Sequence, residues 1–90
     1  MSTPQQNLKM LEQTNPAAYQ QYMKTKQQAE YYHAKGYEAR KKGDYDSAIQ
    51  FYSQALEIMP NHFKALFNRG FAYDKIGMFD KAIEDYSLVI

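Results

Sequence analysis

Small and apolar residues recur at helical spacing along most of the chain. In "AEYYHAKGYEARKK", Tyr32, Gly36 and Ala39 stand four and three residues apart, which places them on one face of a helix. Gly43-Asp44 then breaks the pattern. Gly43 suits the left-handed conformation past a helix end, and Asp44 suits the cap of the next helix. "YDSAIQFYSQALEI" follows with Tyr45, Ala48, Ile49, Tyr52, Ala55 and Leu56 on one face. Pro60 rules out continuation, and Asn61 is the expected cap of a further helix. The unit is helix, tight turn, helix. Gly36 and Ala48 are small where two backbones approach, with Tyr32 and Tyr52 filling the space beside them. Ala18, Tyr22, Thr25 and Ala29 carry the first stripe back towards the N-terminus in phase. One long helix is therefore predicted over residues 16–42, roughly 40 Å in length.

The unit is stated twice. Shifted by 34 positions, Gly36 falls on Gly70, Lys41 on Lys75, Gly43 on Gly77 and Asp46 on Asp80. Ala48 falls on Ala82, Ile49 on Ile83, Tyr52 on Tyr86 and Ser53 on Ser87. Near-matches pair Lys35 with Arg69, Tyr37 with Phe71 and Tyr45 with Phe79. A fixed period of this length is the signature of a stacked helical repeat.

At that period the run Tyr32, Gly36, Ala39, Ala48, Tyr52, Ala55, Pro60 resembles the tetratricopeptide repeat, and Leu66, Gly70, Tyr73, Ala82, Tyr86, Val89 resembles a second copy. Ala39 departs from the Tyr that the family prefers there, and Lys35 and Arg69 stand where it often has Leu. The resemblance covers residues 29–90. It implies an all-α fold, a right-handed stack of helical hairpins forming a piece of an α-solenoid. The expected division is a glutamine-rich helical extension over 1–28, a first repeat over 29–62, and a second over 63–90 that ends before its closing proline.

Seven glutamines (Gln5, Gln6, Gln13, Gln20, Gln21, Gln27 and Gln28) fall in the first 28 residues. Thr3-Pro4-Gln5-Gln6 has the form of a capping box with proline at the first helical position. Asn15-Pro16 repeats the signal of a helix start. A leader without fixed structure up to about Gln27 is the alternative to a continuous helix.

Composition narrows the class. The 90 residues carry a formal net charge of +1, with 44% hydrophobic residues, no cysteine and no tryptophan; mean hydropathy is -0.75. So balanced a charge gives no broad field for nucleic acid or a membrane surface. Disulfides and thiolate zinc sites are excluded, and no apolar run reaches signal-peptide or membrane-span length. The chain reads as cytoplasmic, with the nucleus permitted. No catalytic constellation is present, so neither enzyme activity nor a cofactor or metal is expected. His33 has only Glu30 as a nearby acid and reads as a groove-lining surface residue. His62 falls in the inter-repeat turn and is expected to be exposed. Asp44 and Asp46 are too few oxygens for a calcium loop and read as a cap and a first-turn charge. The basic run Ala39–Gly43 suits a helix C-terminus.

What the resemblance adds is a surface, because in this family the first helices of successive repeats line a concave groove that takes peptides. Its positions here are Glu30, His33, Ala34, Tyr37, Arg40 and Lys41 in the first repeat. In the second they are Lys64, Phe67, Asn68, Phe71, Asp74 and Lys75. Tyr37, Phe67 and Phe71 are the expected aromatic anchors, bordered by Arg40, Lys41, Lys64 and Lys75 as charges selecting an acidic partner. The family's carboxylate clamp asks for Lys and Asn where this chain has His33 and Tyr37. Asn68 alone matches, so a full clamp is not expected. The expected function is non-enzymatic protein–protein interaction, an adaptor or co-chaperone-type scaffold binding a protein or peptide. The alternative is an assembly module in which Tyr86, Leu88, Val89 and Ile90, short of a following helix, pair with a second copy to give a homodimer or higher oligomer.

Overall fold

A computed structural model describes residues 3–89 and shows five α-helices, with no strand among the described residues. They are α1 (Pro4–Thr14), α2 (Pro16–Lys41), α3 (Tyr45–Ile58), α4 (Phe63–Lys75) and α5 (Phe79–Ser87). The expected all-α hairpin fold is the one observed.

Local sequence accounts for most of the boundaries. Thr3 and Gln6 form a reciprocal capping box at the start of α1, with bonds of 2.8 and 3.2 Å. Asn15 ends α1 and caps α2, its Oδ1 accepting from the Ala18 N–H at 3.1 Å. At the other end of α2 the backbone closes on itself: Asp44 N–H donates to Ala39 O and Gly43 N–H to Arg40 O, both at 2.9 Å. This Schellman closure needs a left-handed residue, and Gly43 supplies it at φ 80°. The next unit repeats it, with Met78 N–H on Tyr73 O, Gly77 N–H on Asp74 O, and Gly77 at φ 82°.

The hairpins close where the small residues predicted. Tyr52 is fully buried, and a Cβ built on Gly36 would stand 2.6 Å from its ring. Any side chain at Gly36 would displace that ring. In the second unit Tyr86 lies against Gly70 in the same way, at 2.8 Å. The central core is Ala48, Tyr52, Ala55, Leu56, Ala65 and Leu66, with Tyr32, Ala39 and Val89 packed against it. Consecutive helices pair along the chain, and α2 also meets α4 directly. The N-terminal part of the α2 stripe is only lightly covered. Ala18 and Thr25 are half-buried and Tyr22 is exposed, because α1 alone faces them and buries no residue of its own.

Two expectations about the inter-repeat turn are corrected. Asn61 is not the cap of α4; His62 is, with Nδ1 accepting from the Ala65 N–H at 3.1 Å. His62 is not exposed but 7% accessible. The turn after Pro60 carries the chain past Asn61 before the helix starts, and an imidazole lone pair caps as an oxygen does.

Candidate functional site

Two helices supply the site. Tyr37, Arg40 and Lys41 lie on α2, Phe71 and Lys75 on α4. The Arg40 guanidinium lies 4.3 Å from the Phe71 ring centre and 5.6 Å from that of Tyr37, so one cation joins the aromatics of both walls. Lys41 stands 5.3 Å from the Tyr37 ring and Lys75 5.3 Å from the Phe71 ring. Tyr45 of α3 backs Phe71 at 6.4 Å. Tyr37 is 43% exposed and Phe71 half-buried, so both rings are partly accessible between three cations.

Below this, a polar chain crosses from α2 to α4. Arg40 Nη1 donates to Asn68 Oδ1 at 3.3 Å, and Asn68 Nδ2 lies 3.0 Å from His33 Nε2. Arginine donates only, so it fixes the Asn68 amide and makes His33 Nε2 the acceptor. The His33 ring stacks near Tyr52 at 5.5 Å and His62 at 5.0 Å. Burial holds His33 below its ordinary value, helped by His62 and Lys64 and opposed by Glu30. Tyr52 Oη is buried without a hydrogen-bond partner; burial raises its pKa, and the Arg40 charge acts in the opposite direction.

Glu30, His33 and His62 bring possible ligand atoms within 4.8 Å of one another. Their protons argue against a cation. With Nδ1 of His62 accepting from Ala65, its proton sits on Nε2, which lies 3.4 Å from Glu30 Oε1 without a hydrogen bond. The Nε2 lone pair of His33 is taken by Asn68.

The family model described as TPR repeat matches residues 36–77, across the turn of one hairpin and the first helix of the next. Over those residues the chain matches the tetratricopeptide repeat. The chain is 38% identical over 56 residues to an uncharacterized protein of Methanocaldococcus jannaschii, a stretch that is 62% of this chain and 65% of that one. It is 40% identical over 57 residues to small glutamine-rich tetratricopeptide repeat-containing protein 2 of Mycosarcoma maydis, covering 63% of this chain and 16% of that protein. With the Hsp70-Hsp90 organizing protein of Triticum aestivum it shares 42% identity over 45 residues, 50% of this chain and 8% of the relative. The chain thus spans 65% of the archaeal relative and a small fraction of the other two.

The remaining candidate positions of the tetratricopeptide surface divide. Phe67 is 53% exposed and leans on Tyr86 at 5.5 Å, away from the Arg40 cluster. Lys64, Lys41 and Lys75 are exposed. Among the self-association candidates, Tyr86 is half-buried against Gly70, Val89 is half-buried against the core, and Leu88 is 60% exposed. Ile90 lies outside the described residues. Sequence reasoning missed one pair. Arg69 makes a bidentate bond to Asp85, at 2.7 Å for both Nε and Nη2, while its Nη1 reaches Ser53 Oγ at 3.1 Å. Position 69 is one of the departures from the family's Leu. The missing signal was that its partner position changed too: Phe51 in the first repeat is Asp85 in the second. No helix among the described residues is long and apolar enough to cross a membrane.

Proposed function

We propose that the chain is a non-enzymatic interaction module whose α2–α4 face binds an acidic segment of a protein partner, as an adaptor does. The match to an interaction-repeat family supports the general class. The name of the Triticum aestivum relative, Hsp70-Hsp90 organizing protein, offers a precedent for protein partners. The observation that carries the specific reading is Arg40 held between Tyr37 and Phe71, with Lys41 and Lys75 over the same rings. An extended acidic peptide could place a carboxylate on Arg40 and apolar side chains against the exposed parts of the two rings. Asn68 is engaged by Arg40 and His33, which weighs against a clamp built on that residue.

The test uses fluorescent decapeptides, glutamate-rich with one Phe or Leu, against lysine-rich counterparts. Arg40→Ala with Phe71→Ala should weaken the acidic peptide at least about tenfold while helical circular dichroism is kept. Unchanged affinity would move the site elsewhere.

A second reading, self-association through α5, has its own observation. Ile83 is 64% and Phe79 61% exposed, whereas Ile49 and Tyr45, their counterparts 34 positions earlier, are half-buried in the stack with α4 beside α3. Under that reading, molar mass by light scattering rises with concentration, and Ile83→Glu abolishes the rise.

A further inference from the structure

The chain has two histidines, and both lie where α2 meets the start of α4, with ring centres 5.0 Å apart. Each presents a bare ring nitrogen to a donor that cannot turn away. His33 Nε2 faces the Asn68 amide, 3.0 Å away. Asn68 cannot reverse without setting its NH2 against Arg40, which keeps its charge across the working pH range. His62 Nδ1 faces the Ala65 backbone N–H, the first-turn donor it caps. A neutral imidazole has one acceptor nitrogen, and an imidazolium has none.

We propose that this junction is a proton-released latch: neutral His33 and its neighbour His62 close the seam between the two repeats, and protonation of His33 opens it. A proton on His33 Nε2 would oppose the Asn68 amide and break the chain to Arg40. His62 Nδ1, accepting from Ala65 N–H, keeps the start of α4 beside His33. The groups facing His33 are Glu30 on its own helix, Tyr52 on α3, His62 in the turn, and Lys64 and Asn68 on α4, with Arg40 behind Asn68. Glu30 also faces His62, and it alone among them favours the charged imidazole. Burial is the largest influence holding His33 below its ordinary 6.5. The sign follows. A base whose pKa is depressed by folding leaves full stability above pH about 6.5, and that stability falls as the pH drops below it. Because α2 and α4 are also the walls of the proposed groove, release would loosen binding there. That last step rests on the groove reading; the latch itself does not.

The test is urea unfolding of the full chain between pH 7.0 and 5.5, above the range in which ordinary carboxylates titrate. The wild-type unfolding constant should rise at least about threefold across that window. His33→Gln with His62→Asn keeps polar groups at both positions, Asn being a good cap, and should flatten the profile. The histidine C2–H resonances of the wild-type chain give a readout that needs no variant, and His33 should titrate below 6.5. A flat wild-type profile, a double variant as steep as wild type, or His33 titrating at or above 6.5 would each overturn the latch. An intact latch with no acidic-peptide binding would remove only the groove reading.

Discussion

The two repeats share a turn and a small-residue contact, yet they are closed by different means. In the first, Tyr52 fills the hairpin with no exposure, Asp44 caps α3 through the Ser47 N–H, and α4 lies beside α3. In the second, Tyr86 is half-buried, Met78 offers α5 no side-chain cap, and Ile83 faces solvent. Where the first repeat has Lys35 and Phe51, the second has an Arg69–Asp85 pair that also ties α4 to Ser53 of α3. The turn is a local property, repeated wherever glycine follows the helix. Closure is a neighbour's property, and the second repeat substitutes a buried ion pair for part of the apolar cover the first one has.

The largest effect should come from that pair. Asp85 is 3% exposed, so Asp85→Ala leaves the Arg69 charge half-buried without its partner and should cost about 3 kcal/mol in urea unfolding. Arg69→Leu with Asp85→Leu should recover most of the loss, since apolar pairs of similar volume replace buried ion pairs at little cost. A double variant no better than the single would show that the hydrogen-bond geometry, not charge compensation, holds α5.

Next in size is the contact at the two glycines. Gly36→Ala should cost about 2 kcal/mol, the clash with an enclosed Tyr52 outweighing the gain in helix propensity. Gly70→Ala meets a ring at similar distance and the Asp85 Cβ at 3.3 Å, but Tyr86 is only partly enclosed and can swing away, so its cost should be the smaller, about 1 kcal/mol. Equal losses would mean the two hairpins are equally rigid.

The smallest effect is at the caps. Met78→Asp should stabilise by about 0.5–1 kcal/mol, and Asp44→Ala should lower the urea midpoint slightly. The Asp44 carboxyl is held below its ordinary value by hydrogen bonds from Ser47, so the contribution of this cap is present at neutral pH and is lost as acid protonates it. A melt of Asp44→Ala that converges with wild type at low pH would confirm that origin.

Local signals were legible in the sequence. Gly43, Asp44, the Thr3 capping box and Asn15 each act through neighbours within a few residues, and each sits where the pattern placed it. The close approach at Gly36 and Ala48 was legible because only small residues permit it. His62 was misread because its exposure depends on α2, which lies far away in sequence and supplies His33 and Glu30 beside it. Asp85 carried no local sign of burial, since its partner is sixteen residues away on another helix. The helical spacing puts Tyr37, Phe67 and Phe71 on one face but does not show how they group: Arg40 gathers Tyr37 and Phe71, and Phe67 packs on Tyr86.

The length of α2 has a mechanical consequence. Its 26 residues span about 39 Å, close to the 47 Å long axis of the whole molecule. One end forms a wall of the repeat junction, and the other carries α1 and is gripped by little else. Pro16 lies about 30 Å along the axis from Gly36, so a tilt of about 10° there sweeps the far end through about 5 Å. As a rigid lever the extension would magnify any such tilt, and a spin label at Gln20 would register movements too small to see where they begin.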